Sequence, residues 1–303
     1  MYSAYKLVSG NFMKTEQLKD FYQSLSELNN SFTHYNFVWN QFNIDYLDII
    51  KNNPEIQTND YFKENPYKRK HNIKFSELEN EHKKTDETLI NGIFVLIYSN
   101  FESYLKNLLD FAISIDSQIL KYDDKVDSSI EDSIVFDKII NRINIDKTNF
   151  RIELLDTLDY LRLKRNRLIH SNAKNISGTI TEMIKTKGIT LNNFWNENLP
   201  SKLQGIDFHN KDNFYLLNFS IVIDSINALR RIAEEINDAV IEKLTEEKIF
   251  EKVIMVSFAK SYGKKINKYQ SDTKILKFKS FCKSEFGIEI NDLQIEKFKS
   301  SIA

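Results

Sequence analysis

Turn-formers are scarce in this chain: 7 glycines and 3 prolines in 303 residues, where average usage of about 7% and 5% would give roughly 21 and 15. A many-stranded sandwich or barrel needs turns at short intervals. The shortage therefore selects long helices joined by few connections and predicts an all-α fold. A 41% hydrophobic and 13% aromatic content supplies a core, and 28% charged residues supply its surface, which excludes a disordered or collagen-like chain.

Charge is balanced, with 42 Lys and Arg against 43 Asp and Glu. A polyanionic partner must then be met by a local patch rather than by a uniformly basic coat. The single Cys282 cannot close an intrachain disulfide, and no four-residue Cys/His set exists for structural zinc. A reducing compartment is the expectation. The string MYSAYKLVSGNFMKTEQL lacks the basic, apolar and small-residue regions of a secretory signal, and no apolar run reaches the ~20 residues needed to span a bilayer. The chain is read as cytoplasmic, with no membrane partner.

Apolar residues recur every three or four positions at Leu18, Phe21, Leu25, Leu28, Phe32, Tyr35, Val38 and Phe42, predicting one or two amphipathic helices between Thr15 and Ile50. Residues 52–72 hold Pro54, Pro66 and the cluster Lys68, Arg69, Lys70, and read as a linker or surface loop. A second helical block begins near Ser76, which with Glu79 fits a capping box, and carries Leu89, Ile93, Phe94, Ile97, Phe101, Tyr104, Leu105 and Leu108 to about Ile115. Shorter helices are predicted over 132–143 and 149–169, the latter ending in Arg162, Lys164, Arg165 and Arg167, which complement the helix dipole. Residues 179–213 are the least regular, with a possible strand at 189–191. A long helix is predicted from Phe214 to Leu244.

The tail differs in composition. Eight lysines and one acid, Asp272, lie between Lys260 and Lys283, so Lys264, Lys265 and Lys268 are candidate phosphate contacts. A solvated face is the simpler reading. Phe278 and Phe281 lie three apart and read as anchors for short helices around a Gly287 turn. The expected division is an N-terminal helical extension over 1–72, a helical domain over 73–245 and a Lys-rich helical extension over 246–303.

Known metal and nucleotide chemistries are disfavoured by the motifs. His34, His71, His82 and His209 have no second ligand at metal spacing, and HExxH, a Gly-rich phosphate loop, GxSxG and CxxC are all missing. Neither a metal nor a cofactor is expected. His170 stands apart because it closes the string Arg165-Asn166-Arg167-Leu168-Ile169-His170 at the end of an amphipathic helix. Spacing alone allows a plain reading, with the arginines solvated and His170 capping the last carbonyls.

The string RNRLIH resembles the Arg-polar-spacer-His signature of the HEPN ribonuclease superfamily, in which the Arg is typically followed by Asn, Asp or His. Glu102 and Lys106, in FESYLKN, resemble the glutamate, three residues, lysine element that many of these nucleases carry in the preceding core helix, particularly the stand-alone prokaryotic MAE-type and RiboL-PSP-type groups. The resemblance covers roughly residues 75–245 and implies a HEPN-like helical bundle. It implies a metal-independent endoribonuclease that leaves 2′,3′-cyclic phosphate and 5′-hydroxyl ends, and a role as a prokaryotic toxin or anti-phage effector. A homodimer, an RNA substrate and a possible antitoxin or activating partner are implied with it.

The residue chemistry is compatible. Histidine's intrinsic pKa near 6.5 suits proton transfer to and from ribose and leaving oxygens, and a guanidinium can hold the scissile phosphate. His170 and Arg165 take those roles, with Asn166 orienting the histidine or bonding the phosphate. Arg162 and Arg167 are further candidates for substrate binding. Glu102 either orders Arg165 or His170 while Lys106 meets phosphate, or the two form an ordinary surface pair four residues apart. The alternative to catalysis is a helical module binding RNA, a nucleotide or a partner protein. A scaffold with an accidental Arg/His string is a third reading.

Overall fold

The computed structural model describes residues 13–124, 134–169 and 177–302. Among them the chain is all-α, and its only β pairing is an isolated bridge between Gln57 and Lys74. The helices are α1 (Glu16–Asn52), α2 (Thr58–Tyr61), α3 (Leu78–Ile115), α4 (Val135–Ile143), α5 (Ile152–Ile169), α6 (Ser177–Asn198), α7 (Lys211–Tyr215), α8 (Phe219–Lys243), α9 (Glu246–Ile249), α10 (Val256–Tyr262), α11 (Ser271–Phe281) and α12 (Asp292–Ile302). No helix among the described residues is long and apolar enough to cross a membrane.

Two compact units divide the chain. One comprises the described residues of Met1–Tyr22, Phe101–Leu154 and Leu229–Ala303; the other is Gln23–Asn100 with Leu155–Ala228. The divisions fall inside α1, α3, α5 and α8 rather than in loops.

In the first unit Phe21 stacks on Tyr104 with ring centroids 5.1 Å apart, and the buried Tyr104 hydroxyl donates to the Ala233 carbonyl at 2.9 Å. Thr15 Oγ1 donates to Asn237 Oδ1 at 2.8 Å, and Asn237 Nδ2 donates to the Met13 carbonyl at 2.8 Å, so two buried polar side chains satisfy each other and the chain before α1. The tail has its own aromatic core: Phe278 stacks on Phe298 at 3.9 Å, and Phe258 meets both edge-on. Phe278 and Phe281 are buried, as the anchoring reading expects. A Gly287 with φ +71° closes the turn before α12, a backbone region open to glycine.

The second unit centres on Trp195, which is fully buried and donates its Nε1–H to Thr157 Oγ1 at 2.8 Å, and on Tyr160, packed edge-on against Phe208 and Phe214. Here several sequence expectations change. The possible strand at 189–191 lies inside α6, because Ile180, Met183, Ile184, Leu191 and Trp195 are buried at helical spacing. Gly188, inside α6, is a contact point: a Cβ there would lie 2.5 Å from the Phe208 carbonyl oxygen. The helix expected from Phe214 is broken at 216–218. Asn218 Oδ1 accepts from Ile221 N–H at 2.9 Å and starts α8 afresh.

The stretch read as linker or surface loop is an ordered surface loop. Thr58 N–H donates to the Ile73 carbonyl at 2.8 Å, and its hydroxyl donates to the His71 carbonyl at 2.6 Å and accepts from Ile73 N–H at 3.2 Å. The lead into α3 starts earlier than the Ser76/Glu79 box implied. The Glu77 carboxylate accepts from Lys74 N–H at 3.1 Å, and a 3-10 turn over Phe75–Glu77 precedes the helix.

Candidate functional site

Helix α5 carries the Arg-polar string on its last two turns. Its buried face runs Leu154, Thr157, Leu158, Leu161 and then Lys164, a cation at the next core position. Lys164 is 3% exposed, and its ammonium donates to three carbonyls, Asn213 at 3.1 Å, Phe214 at 2.8 Å and Leu216 at 2.5 Å. Those are orphan acceptors at the end of α7, where no further helical N–H arrives. Burial, and secondarily the charge of Arg167, lower the Lys164 ammonium to about 7. Three carbonyl acceptors oppose that shift, because a neutral amine has only two hydrogens to give.

Arg167 lies on the same short helix: its guanidinium carbon is 3.7 Å from the centroid of the Tyr215 ring. Lys164 and Arg167 thus fasten α7 to the end of α5. Arg165 points elsewhere and donates from Nη1 to Asn166 Oδ1 at 3.1 Å, with both side chains half-buried. The amide oxygen of Asn166 is thereby engaged with the guanidinium, which leaves its NH₂ as the group it can offer to a phosphate or to an imidazole. Arg162 forks onto one carboxylate oxygen of Asp159, Nε at 2.9 Å and Nη2 at 2.6 Å. His170, with the polar turn after it, lies outside the described residues.

Residues 199–218, beside this helix end, are held by side chains. The buried Asp224 carboxylate accepts backbone N–H groups from Gln204, Gly205 and Ile206 at 2.7–2.9 Å on one oxygen, Oδ2. Asn192 bonds Phe208 N–H and the Asp207 carboxylate, and Asn213 bonds Asp207 N–H and the Gly205 carbonyl. Gly205 is required by contact, since a Cβ would fall 2.3 Å from Ile221 N.

Glu102 and Lys106 belong to the other unit. Glu102 is half-buried on α3, and the exposed Lys106 places its ammonium 4.9 Å from the Tyr122 ring centroid, with Lys138 over the same ring at 3.9 Å. In the tail, Lys265 and Lys268 are exposed on the 3-10 turn Gly263–Lys268, while the side chain of Lys264 lies outside the described part. Lys277 sits 4.5 Å from the ring centroid of Tyr269.

Sequence reasoning noted Lys164 only as one of several cations. Its position three residues after Leu161, on the apolar stripe, was the available signal. Among the described residues no three His, Cys, Asp or Glu side chains gather as metal ligands would. Comparisons with family models, curated proteins and solved structures return no match to this chain.

Proposed function

We propose that this chain is a metal-independent endoribonuclease of the HEPN type. The observation that carries the reading is the Arg165–Asn166 pair: a permanently charged planar fork, turned by a neighbouring amide, on the last turns of α5 and four to five residues before His170 in sequence. In this reading Arg165 holds the scissile phosphate and stabilises charge on its oxygens. His170 takes the proton from the ribose 2′-hydroxyl. The 2′-oxygen then bonds to phosphorus as the bond to the 5′-oxygen breaks, and that oxygen takes a proton from water, giving a 2′,3′-cyclic phosphate and a 5′-hydroxyl. A homodimer would set two 165–170 segments on one cleft and double the local positive charge that a chain of net −1 otherwise lacks. A role as a toxin or anti-phage effector, with an antitoxin or activating partner, is proposed with it on the same resemblance.

A second reading, a non-catalytic helical module binding RNA, a nucleotide or a protein, draws on the commitments of Arg162 to Asp159 and Arg167 to Tyr215, which leave fewer cations for phosphate. Total RNA incubated with purified protein in excess EDTA separates the two. Cleavage that survives chelation and falls at least about 100-fold in His170→Ala and in Arg165→Ala, with unchanged thermal midpoints, is the expected result. Folded variants that cut at the wild-type rate would refute the catalytic reading.

A further inference from the structure

The second half of α1 turns an aromatic row toward the 53–77 loop instead of toward a closed core. Phe42 and Tyr46 contact Phe62 at 5.8 and 5.3 Å between centroids, and Tyr46 and Tyr61 meet edge-on. Between helix and loop lies a cavity of about 370 Å³ lined by Tyr35, Trp39, Phe42, Phe62, Tyr67 and Lys68, among others. That volume is within the roughly 300–1,000 Å³ of small-molecule sites.

Trp39 is backed by His82, whose ring is parallel to it within 10° at 3.9 Å, and His82 Nδ1 is hydrogen-bonded to the Tyr35 hydroxyl at 2.9 Å. Phe42 also stacks on the indole, at 5.4 Å between centroids and 23° between planes, so Trp39 offers the cavity its edge and the part of its ring that His82 and Phe42 leave uncovered. Burial lowers the His82 pKa, which favours a neutral ring and leaves the stack without a charge of its own. Tyr67 is 69% exposed at the mouth, which leaves its ring open to solvent.

Aromatic walls suit two kinds of ligand, a cation over the ring faces or a flat ring stacked between them. The rim decides between them. Lys68 and His71 line the cavity, and Arg69 and Lys70 are exposed beside them, while no carboxylate is among the lining residues. An organic cation would meet like charge there. One ammonium hydrogen of Lys68 is used on the Lys63 carbonyl, which steadies the side chain and leaves two donors.

We infer that this cavity binds a nucleoside phosphate, its base stacked on Tyr67 and in contact with the edge of Trp39, and its phosphate on Lys68 with the neighbouring Arg69 and Lys70. A volume of about 370 Å³ suits one base, one sugar and one phosphate, the size of a free mononucleotide. The site uses none of the residues assigned to cleavage, so it stands or falls independently of that reading.

The test is calorimetric titration of the full chain with AMP, GMP, CMP and UMP and their triphosphates, alongside adenosine and a six-residue single-stranded ribo-oligomer, in EDTA. Binding is expected for at least one nucleotide, with quenching of tryptophan fluorescence that disappears in Trp39→Phe. Tyr67→Ala and Lys68→Gln should each weaken it fivefold or more without shifting the thermal midpoint, since both side chains sit at the mouth. Adenosine should bind less tightly than AMP. The proposal is overturned by an absence of binding at millimolar nucleotide, by unchanged affinity in both variants, or by an oligomer that binds where free nucleotides do not.

Discussion

Residues 53–77 and 199–218 are both irregular and both ordered, but by opposite means. The later stretch is fixed by turning its polar groups inward: Asp224 takes three backbone N–H groups, Asn192 and Asn213 tie Gly205, Asp207 and Phe208, and Lys164 takes three carbonyls. The earlier stretch is fixed by the backbone and hydroxyl bonds of Thr58 and by ring contacts, and it leaves Tyr67, Arg69 and Lys70 toward solvent. A loop that uses its hydrogen-bonding groups on itself is a scaffold, whereas one held by rings has charge and aromatic surface left for a ligand.

The largest effect that would break this comparison is expected at Asp224. Asp224→Ala removes one acceptor and orphans three buried or half-buried N–H groups, which should cost about 3–5 kcal/mol in urea unfolding. Tyr67→Ala, at the exposed mouth of the earlier loop, should stay within about 0.5 kcal/mol. A cost below about 1 kcal/mol for the Asp224 variant would mean that the polar framework does not hold its loop.

Lys164 tests the same framework through pH. Its folded-state pKa of about 7 lies below the 10.5 of an unperturbed lysine, so between those values the unfolded chain binds a proton that the folded chain has released. Stability therefore rises with pH across that window, by at most about 1.4 kcal/mol per unit, and is level below 7. The difference between wild type and Lys164→Met, followed by chemical denaturation at pH 6.5, 8 and 9.5, should widen in favour of wild type. A flat difference would show that the carbonyl cage keeps the ammonium charged.

How much of this was legible depended on the kind of signal. The apolar stripes of α3 and α8 forecast most of their buried faces, since a 3.6-residue period is local. The shift from Leu89 and Ile93 to a buried Ile90 is a small rotation of the stripe, set by packing. Gly188 and Gly205 serve close approach, which is decided by a partner distant in sequence and so leaves no local signal. Tyr35 and Phe42 were visible as part of an amphipathic pattern, and Trp39 was not among its positions. Nothing in that pattern told that the second half of the stripe lines a cavity while the first half, Leu18 to Phe32, closes a core. At the candidate site, the order Arg165, Asn166, His170 was readable from the string. The division of labour among the cations was not, because whether Arg162 meets Asp159, Arg167 meets Tyr215 or Lys164 meets carbonyls depends on tertiary geometry.

The smallest effect concerns the tail, a third cationic region. Its phenylalanines go into its own core: Phe278 is fully buried against Phe298, and Phe258 is packed between them and Phe281. Those phenylalanines are unavailable for stacking, and the exposed Tyr269 has the Lys277 ammonium 4.5 Å from its ring centroid, so Lys265 and Lys268 themselves contribute charge to RNA. Charge alone acts through counterion release, which scales with the number of phosphates neutralised and does not read sequence. Replacing Lys264, Lys265 and Lys268 together with Gln should leave stability within about 0.5 kcal/mol, since such surface changes remove no packing. It should weaken single-stranded RNA binding and reduce the slope of log affinity against log salt by up to about 2, from roughly 0.7 per phosphate contact, without moving the position of cleavage. Filter binding between 50 and 200 mM salt measures both, and an unchanged slope would assign these lysines to solvation of the tail alone.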